Sequence, residues 1–289
     1  MSGIIDSGTM ARALVVLGAG GSVGAGVVEA ALDSGRDVVA IGMNEAARDA
    51  LLADRPQARL TAIDGAIGSD ADAAVLALQL RALHVRIDGV VASLAGVHPC
   101  GRLMDEPAEV LQRTLDQDLL PHLFAARHLL PLLAGDSAGY VLVGGPGGRY
   151  PWAGYGHCSI AAAALRMMAR VLHDEAARQG QRVQLLSMDA PFGADAPAEA
   201  IALGHRALAM LEAARRRCPA PIVDYGRSLT SGVIASTPAS AASSPARRQR
   251  AHAAGPADVL PARDLHAARA LLGAIEFPTS PGSFHDEHC

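Results

Sequence analysis

The chain has 289 residues, the length of one large domain or of one domain with an added lid. Half of the residues are hydrophobic and only 3% are aromatic, so we expect a sizeable core built from aliphatic side chains. The net charge of −4 argues against nucleic acid or an anionic membrane as a partner.

The cysteines and the N-terminal residues favour a soluble, cytoplasmic protein. The chain has four cysteines without CxxC spacing, which predicts reduced thiols rather than a disulfide framework: Cys100, Cys158, Cys218 and Cys289. The first ten residues lack the charged segment and long apolar run of a signal peptide. No apolar run reaches the roughly 18 residues that a membrane span requires.

Short runs rich in Val, Ile and Leu alternate with Ala- and Leu-rich stretches over most of the chain. The runs predict strands at residues 13–17, 37–41, 59–63, 87–93, 139–143 and 183–188. The stretches predict helices at residues 22–32, 44–52, 70–83, 107–133, 155–179, 197–217 and 263–275, with Pro121 as a point where the fourth helix can bend. This alternation is typical of an α/β fold, a doubly wound, Rossmann-like parallel sheet with helices on both faces.

The regular alternation weakens after residue 190, and this change divides the chain. We predict an N-terminal extension at 1–11, a Rossmann-like dinucleotide-binding core at 12–190, a substrate lid at 191–262, and a C-terminal helix with a tail at 263–289. Within the lid, residues 228–256 begin with a stretch rich in Ser, Thr, Ala and Gly, which is typical of a mobile loop.

Three polar clusters in this C-terminal part are interpreted without a function. Arginines at 215–217 and at 247, 248 and 250 are assigned to solvated surface, because the chain as a whole is not basic. Residues 285–289 have side chains of metal-ligand type, but no predicted secondary structure orients them. We therefore predict no metal site.

A glycine-rich turn lies between the first predicted strand and the first helix. Its residues Gly18, Gly21 and Gly24 fit a GxxGxxG pattern, and in the related GxxxGxG pattern Ser22 replaces the middle glycine. Backbone N–H groups of such a turn, with the helix N-terminus, can hold a pyrophosphate. The candidate phosphate-binding residues are Gly18, Gly20, Gly21, Ser22, Val23 and Gly24. The alternative is a structural turn in a fold that has lost its ligand.

The residues after the second predicted strand leave NAD and NADP as open alternatives. An acidic side chain there would accept from the ribose hydroxyls of NAD, and an arginine would bind the extra phosphate of NADP. The chain has neither in the segment 42–44. Asn44 can bond a hydroxyl, and Arg48 lies one helical turn further on.

Several later segments follow one family in type and order. Asp64 ends the third predicted strand, and the segment 93–96 follows the fourth as Ser-Leu-Ala-Gly. The chain from Arg12 to about Met188 thereby resembles the short-chain dehydrogenase/reductase family, whose motif at this second place is Asn-Asn-Ala-Gly. The resemblance implies cofactor contacts for Asp64, Ala95 and Gly96.

The same resemblance assigns the family's catalytic positions to unusual residues. Residues 140–145 resemble the strand that ends in the catalytic Ser, and residues 163–170 resemble the stretch after the Tyr-x-x-x-Lys motif. Counting back from that stretch implies that the family's Lys and Tyr are here Ala162 and Cys158. The strand resemblance implies Gly145 for the Ser, and residues 114–119, which resemble the helix that carries the family's active-site Asn, imply Asp118 for that Asn. The spacings from Cys158 to Gly145 and from Gly145 to Asp118 agree with those of the family.

These replacements remove the family's usual proton transfer. In the family the Tyr transfers the proton, the Lys lowers its pKa and holds the nicotinamide ribose, and the Ser orients the substrate oxygen. Ala162 and Gly145 lack the necessary groups, and a thiol such as Cys158 is a weak hydrogen-bond donor. Since such groups act as a unit, their joint loss should remove most of the rate enhancement.

Four residues are the candidate catalytic groups, each with a plainer alternative. Asp118 is either a general base or a carboxylate bonded to backbone or water. Tyr155 either reaches the pocket or belongs to the loop that enters the helix. His157 is either a proton carrier or a solvent-facing or locally bonded imidazole. Cys158 is either a nucleophile or a small buried hydrophobe.

Three functions remain open. The first is a divergent enzyme that binds NAD or NADP and performs altered acid/base chemistry on a small molecule. The second is a non-catalytic member that senses the cofactor or partners an active subunit. The third is an ordinary NAD(P)-dependent carbonyl reductase. The helices predicted at 107–133 and 155–179 resemble the pair with which the family dimerises, so we expect a homodimer or homotetramer. His122 and His128, in the first of these helices, are assigned to packing or surface.

Overall fold

Seven parallel strands form the central sheet of the part of the chain that the computed structural model describes, which comprises residues 11–135, 138–193, 195–213 and 220–226. The strands are β1 (Arg12–Leu17), β2 (Asp37–Ile41), β3 (Leu60–Ile63), β4 (Arg86–Ala92), β5 (Gly139–Gly144), β6 (Arg182–Met188) and β7 (Ile222–Tyr225). Their order in the sheet is β3-β2-β1-β4-β5-β6-β7. The prediction of a doubly wound parallel sheet is confirmed.

Helices cover both faces of the sheet. They are α1 (Ser22–Asp33), α2 (Glu45–Ala53), α3 (Asp70–Ala82), α4 (Ala108–Asp118), α5 (Leu120–Leu129), α6 (Gly156–Ala177) and α7 (Ala196–Ala213). Side chains alternate across a strand, so β1 directs Leu14 and Val16 towards α1 and α7. Val15 and Leu17 of the same strand pack with α3, α5 and α6. Burial on both faces explains why β1 is apolar from its second residue onward.

The stretch predicted at 107–133 is helical, but it is two helices and a turn rather than one helix bent at Pro121. The chain forms α4, breaks at Leu119 (φ −114°, ψ −58°), continues as α5, and ends in a 3₁₀ turn at Leu130–Leu132. The physical reason is Pro121, which has no N–H to donate to the carbonyl of residue 117 and whose ring crowds that carbonyl. The break makes Asp118 the last residue of α4.

The described part of the segment 191–262 is core structure rather than a lid. Helix α7 packs on α1 so closely that a Cβ at Gly26 would lie 2.6 Å from the Cβ of Ala200. Its residues Leu203 and Ala207 are fully buried. Strand β7, which was not predicted from the sequence, pairs with β6.

Several predicted features lie outside the described residues. They are the first ten residues of the extension at 1–11, the arginines at 215–217 and at 247, 248 and 250, the loop 228–256, the helix 263–275 and the tail 285–289. Among the described residues, no helix is both long enough and apolar enough to cross a membrane.

The sheet order places a crevice at the carboxyl ends of β1 and β4. Strands β2 and β3 lie on one side of β1, whereas the chain crosses to β4 on the other side. Open α/β sheets bind ligands at such a reversal of strand order. The glycine-rich turn follows β1 and the segment 93–96 follows β4, so both border this crevice.

Candidate functional site

The glycine-rich turn is shaped by backbone contacts that exclude side chains. Gly18 has a positive φ of 74°, and a Cβ there would overlap the carbonyl oxygen of Ser93. A Cβ at Gly24 would overlap the carbonyl oxygen of Gly18. The tight turn therefore requires glycine at both positions, as in the phosphate-binding turns of Rossmann folds.

The N-terminus of α1 is open to an anion. Gly21 is its N-cap, no side chain caps the helix, and its first turn contains no acidic residue. Gly21 and Ser22 are exposed. The partial positive charge of the helix N-terminus therefore has no carboxylate of the helix's own first turn beside it, and this geometry fits the pyrophosphate of a dinucleotide.

A cleft of about 600 Å³ extends from the turn across the sheet edge. Seven of the predicted cofactor-binding residues line it: Gly18, Gly20, Gly21, Asn44, Asp64, Ala95 and Gly96. The remaining three, Ser22, Val23 and Gly24, are not among its lining residues, because they form the first turn of α1 behind Gly21. The structure thus brings together groups from four separate segments of the chain.

The two residues considered for cofactor preference have local partners. The Asn44 side chain accepts from the N–H of Ala47 at 2.8 Å and so caps α2. Arg48 donates from Nε and Nη2 to Asp49 Oδ1, at 2.9 and 2.8 Å. Asp64 accepts from the N–H of Gly65 at 2.9 Å. None of these contacts distinguishes NAD from NADP.

Asp118 lies beside the segment 93–96 and receives two hydrogen bonds. Its Oδ1 accepts from the backbone N–H of Gly96 at 2.7 Å and from Nε2 of His98 at 2.8 Å. The side chains of Asp118 and His98 are only 17% and 9% exposed. Of the two alternatives given for Asp118, the bond to backbone is therefore present, and a histidine is added to it.

Sequence reasoning missed His98. The residue lies in the loop between β4 and α4, where no periodicity marks it, two residues after Gly96. Its Nδ1 lies 3.5 Å from Oγ1 of Thr114, whose hydroxyl donates to the carbonyl of Val110 at 2.8 Å. The imidazole is thus held between Asp118 and Thr114.

His157 is buried, so of the two alternatives given for it the solvent-facing or locally bonded imidazole does not match the described structure. The residue is 1% exposed, and neither ring nitrogen has a hydrogen-bond partner among the described residues. Its ring stands edge-on to that of His98, with centroids 5.7 Å apart and planes at 75°. The first turn of α6 carries His157 inward, against the loop that follows β4.

Cys158 is half-buried next to His157. Burial, together with the negative charge of Asp118, raises the pKa of the thiol to about 11. The thiol is therefore protonated at neutral pH. This environment fits the interpretation as a small buried side chain better than that of a free thiolate nucleophile.

Tyr155 lies at the entrance of α6 as its N-cap residue. Its ring stacks on Trp152, with centroids 4.1 Å apart and an interplanar angle of 21°. The neighbouring Cys100 thiol raises the pKa of the Tyr155 phenol. Ser159 accepts from the N–H of Trp152 and donates to the Tyr155 carbonyl, which fixes this loop.

The positions assigned to the family's Ser and Lys carry no reactive group. Gly145 directly follows β5, and a Cβ there would meet no atom within 4 Å. Ala162 lies on α6, one turn beyond Cys158. The next cation along α6, Arg166, is engaged elsewhere, since it donates to Asp224 at 2.6 Å and to Ser187 at 2.8 Å.

Comparison with known proteins places the chain in a family. A family model described as enoyl-(acyl carrier protein) reductase matches residues 18–217. No curated protein matches the chain significantly. The chain belongs to the short-chain dehydrogenase/reductase family.

Solved structures show the same fold at low identity. A short-chain dehydrogenase from Streptomyces avermitilis is 23% identical with a TM-score of 0.62, covering 75% of this chain and 89% of that one. A short-chain dehydrogenase from Salmonella enterica serovar Typhi is 18% identical with a TM-score of 0.64, covering 75% and 96%. An NADPH-bound short chain oxidoreductase from Pseudomonas aeruginosa, described as containing an atypical catalytic center, is 18% identical with a TM-score of 0.66, covering 76% and 96%.

Proposed function

We propose that this protein binds NAD or NADP and performs acid/base chemistry on a small molecule with Asp118, held by His98, in place of the family's usual groups. The glycine cradle and the open N-terminus of α1 support cofactor binding. The Pseudomonas aeruginosa protein offers a precedent, since it is NADPH-bound and is described as having an atypical catalytic center. When bound, the nicotinamide supplies hydride transfer, and the residues of this chain supply binding and proton transfer.

The contact of Asp118 with Gly96 and His98 carries this proposal. Both hydrogen bonds use Oδ1 of Asp118. Oδ2 is therefore the oxygen that can accept a proton from a substrate or a water. Because the carboxylate is mostly buried and adjoins the cleft at Gly96, a substrate there would meet a base that is held in one orientation.

The experiment has two parts. The full chain is titrated by calorimetry with NAD, NADH, NADP and NADPH, and micromolar binding of one of them is expected. The protein is then screened with that cofactor against carbonyl and hydroxy compounds. Absence of binding at millimolar concentrations of all four would overturn the cofactor half of the proposal.

Asp118→Asn is the matched variant for the catalytic half. An Asn side chain keeps an oxygen that can accept from Gly96 and His98 but has no carboxylate to take a proton. It also restores the residue type that the family resemblance implies at this position. We expect turnover to fall by at least about 100-fold, the scale of a lost general base, with cofactor affinity unchanged. Equal turnover in both proteins would exclude Asp118 as the base.

A second candidate function is a non-catalytic cofactor sensor or partner subunit. The observation that favours it concerns the ionisable groups around the position assigned to the family's Tyr, namely their pKa values and their ion pairs. The pKa values of Cys158 and Tyr155 are both raised, and Arg166 is engaged by Asp224. Tight cofactor binding with no turnover on any substrate of the screen would favour this candidate over the first.

We also propose a homodimer formed by the outer faces of α5 and α6. Four large apolar side chains there are exposed: Leu123, Ile160, Met167 and Val171. A cleft of about 490 Å³ between these helices is lined in part by Leu130 and Leu172. Light scattering should show a dimer, or a tetramer that contains it, and Met167→Glu should dissociate this contact. A monomeric wild type would refute the assignment.

A further inference from the structure

Two histidines and a cysteine converge next to Asp118. We name His98, His157 and Cys158 the His–His–Cys cluster. One donor atom from each lies within 4.8 Å of the donor atoms of the other two. We propose that this cluster binds a divalent transition metal ion, with Zn²⁺ as the first candidate.

The donor set matches the chemistry of zinc. Imidazole nitrogen and thiolate sulfur bind Zn²⁺ at about 2.0–2.1 Å and about 2.3 Å, so ligands of one tetrahedral ion lie roughly 3.4–3.7 Å apart. The donors of the cluster are within 4.8 Å of one another. Shifts of roughly 1 Å or less in side-chain position would therefore close them around one ion.

The burial of His157 is an independent observation that points to a ligand. An imidazole enclosed by protein normally has a hydrogen-bond partner, because an unsatisfied buried polar group costs about 1–3 kcal/mol. His157 is 1% exposed, and within the part of the chain that the structure describes both of its ring nitrogens lack a partner. A metal ion would satisfy one of the two ring nitrogens, at the place where His98 and Cys158 lie within reach of it.

Asp118 supplies a further feature of metal sites. Imidazoles that bind metal commonly donate their second nitrogen to a carboxylate, which orients the ring and raises its basicity. His98 makes such a bond to Asp118 at 2.8 Å. Asp118 therefore holds Nε2 of His98, which leaves Nδ1, 3.5 Å from Oγ1 of Thr114, as the nitrogen that would bind the ion.

The backbone holds the two halves of the cluster together. His98 comes from the loop after β4, whereas His157 and Cys158 come from the first turn of α6. The N–H of Gly101 donates to the carbonyl of Gly154 at 2.8 Å and ties these two segments. The ligands are thus arranged before an ion arrives.

Three protein ligands leave one position of a tetrahedral ion for water or a substrate atom, as in catalytic zinc sites. A water on that position would have a pKa near about 7 and could exchange protons where the family uses its Tyr. This catalytic consequence rests on the proposed function, but metal binding itself does not.

The test is metal binding by the full chain after removal of metals with a chelator. Zn²⁺ is titrated by calorimetry, and Co²⁺ is used as a spectroscopic probe in the absence of cofactor and substrate. We expect one ion per chain, a thiolate-to-cobalt charge-transfer band, and the intense visible bands of tetrahedral Co²⁺. Failure of the cofactor titration would not affect this readout, so the two proposals fail separately.

Cys158→Ser and Cys100→Ser form the matched pair of variants. Cys158→Ser should abolish the charge-transfer band and weaken Zn²⁺ binding by at least about tenfold, whereas Cys100→Ser, outside the cluster, should retain both. Asp118→Asn should weaken binding by about 10–100-fold, the usual effect of losing a carboxylate behind a metal-bound imidazole. Circular dichroism establishes that each variant is folded.

The double variant His285→Ala/His288→Ala tests whether the tail is the source of metal binding. If the His–His–Cys cluster binds the ion, this variant keeps full affinity. Three outcomes would overturn the proposal. The first is no Zn²⁺ or Co²⁺ binding at about 100 µM, far above the dissociation constants of protein zinc sites. The second is a cobalt spectrum unchanged in Cys158→Ser. The third is binding that disappears with the tail histidines.

Discussion

The two ends of the candidate site differ in how closely they follow the short-chain dehydrogenase/reductase pattern. The cofactor end, at the glycine-rich turn, keeps the glycines and the open helix N-terminus that a pyrophosphate needs. The end at α6 has Gly145, Cys158 and Ala162 where the family resemblance implies Ser, Tyr and Lys. It has instead a mostly buried group of His98, Asp118, His157 and Cys158. The fold tolerates this difference because the cradle is made by backbone, whereas the chemistry is made by side chains at loop and helix ends.

The largest expected effect is the loss of cofactor affinity in the variant Gly21→Asp, which tests the cofactor end of the site. A Cβ at Gly21 would lie no closer than 3.5 Å to its nearest neighbour, the Gly18 carbonyl oxygen, and the residue has ordinary extended φ and ψ angles of −82° and 160°. Aspartate is a favoured N-cap, so stability should be unchanged or slightly higher. Its charge would repel the pyrophosphate, and cofactor affinity should fall on the order of 100-fold.

Calorimetry measures the cofactor affinity of Gly21→Asp, and a thermal melt measures its stability. Pro107→Asp is the control, because it adds the same charge at the N-cap of α4, away from the residues that line the cleft. Unchanged affinity in Gly21→Asp would mean that the cofactor end has also departed from the family pattern.

The next effect concerns His122, which is bonded to the segment 93–96 beside the cleft. The ring is fully buried and donates from Nε2 to the carbonyl of Leu94. Burial lowers the pKa of His122 from 6.5 to about 4. The neutral ring is therefore favoured in the folded state, and this stabilisation is complete above pH 6.5 and lost as the pH falls towards 4. Between pH 7 and pH 5 the free energy of unfolding should drop by about 2 kcal/mol from this group.

Urea unfolding at the two pH values measures this drop. His122→Gln is the comparison, since an amide N–H can replace the bond to Leu94 without titrating. Its free energy of unfolding should change by about 2 kcal/mol less over the same interval. The same pH dependence in both proteins would show that His122 does not control it.

A smaller effect is expected at the end of β2. Asn44→Asp keeps an oxygen to cap α2 and adds a carboxylate where it can accept from the ribose hydroxyls of NAD and repel the phosphate of NADP. The ratio of NAD to NADP affinity should rise by about tenfold, or about 1.4 kcal/mol. Calorimetric titration of both cofactors measures the ratio, with Arg48→Gln as the companion variant. An unchanged ratio would place the selecting group elsewhere in the cleft.

The smallest effect is expected for Gly145→Ser. No atom lies within 4 Å of a Cβ at this position, so the free energy of unfolding should stay within about 0.5 kcal/mol of the wild type. Gly144→Ser is the contrast, because a Cβ there would lie 3.2 Å from Cδ1 of Leu185 and should destabilise the core more. Equal urea midpoints for the two variants would contradict the view that position 145 has room for a serine side chain and position 144 does not.

Much of the fold could be predicted from local patterns. The apolar runs located β1 to β6 to within a residue or two, because the strands at the centre of the sheet are buried on both faces and must be apolar. The glycine turn was recognisable because its spacing follows from backbone geometry. Strand β7 is four residues long, and the packing of α7 on α1 depends on Gly26 and Gly204 meeting across the fold. Neither leaves a local signal.

The candidate site was predictable only in part. Asp118, Tyr155, His157 and Cys158 could be named because the resemblance assigns their surroundings, but their partners could not. His98 is far from Asp118 and His157 in sequence, and no periodicity marks the loop that carries it. The burial of His157 depends on which loop covers the first turn of α6.

The sequence by itself determined strands β1 to β6, the glycine-rich turn and, through the family resemblance, the assignment of Gly145, Cys158 and Ala162 to the Ser, Tyr and Lys positions, because each depends on residue type and spacing along a short stretch of chain. Only the tertiary structure decided that His98, Asp118, His157 and Cys158 meet. That meeting requires the break at Leu119, the loop after β4 and the start of α6 to be brought together, and such contacts between distant segments are set by packing rather than by local pattern.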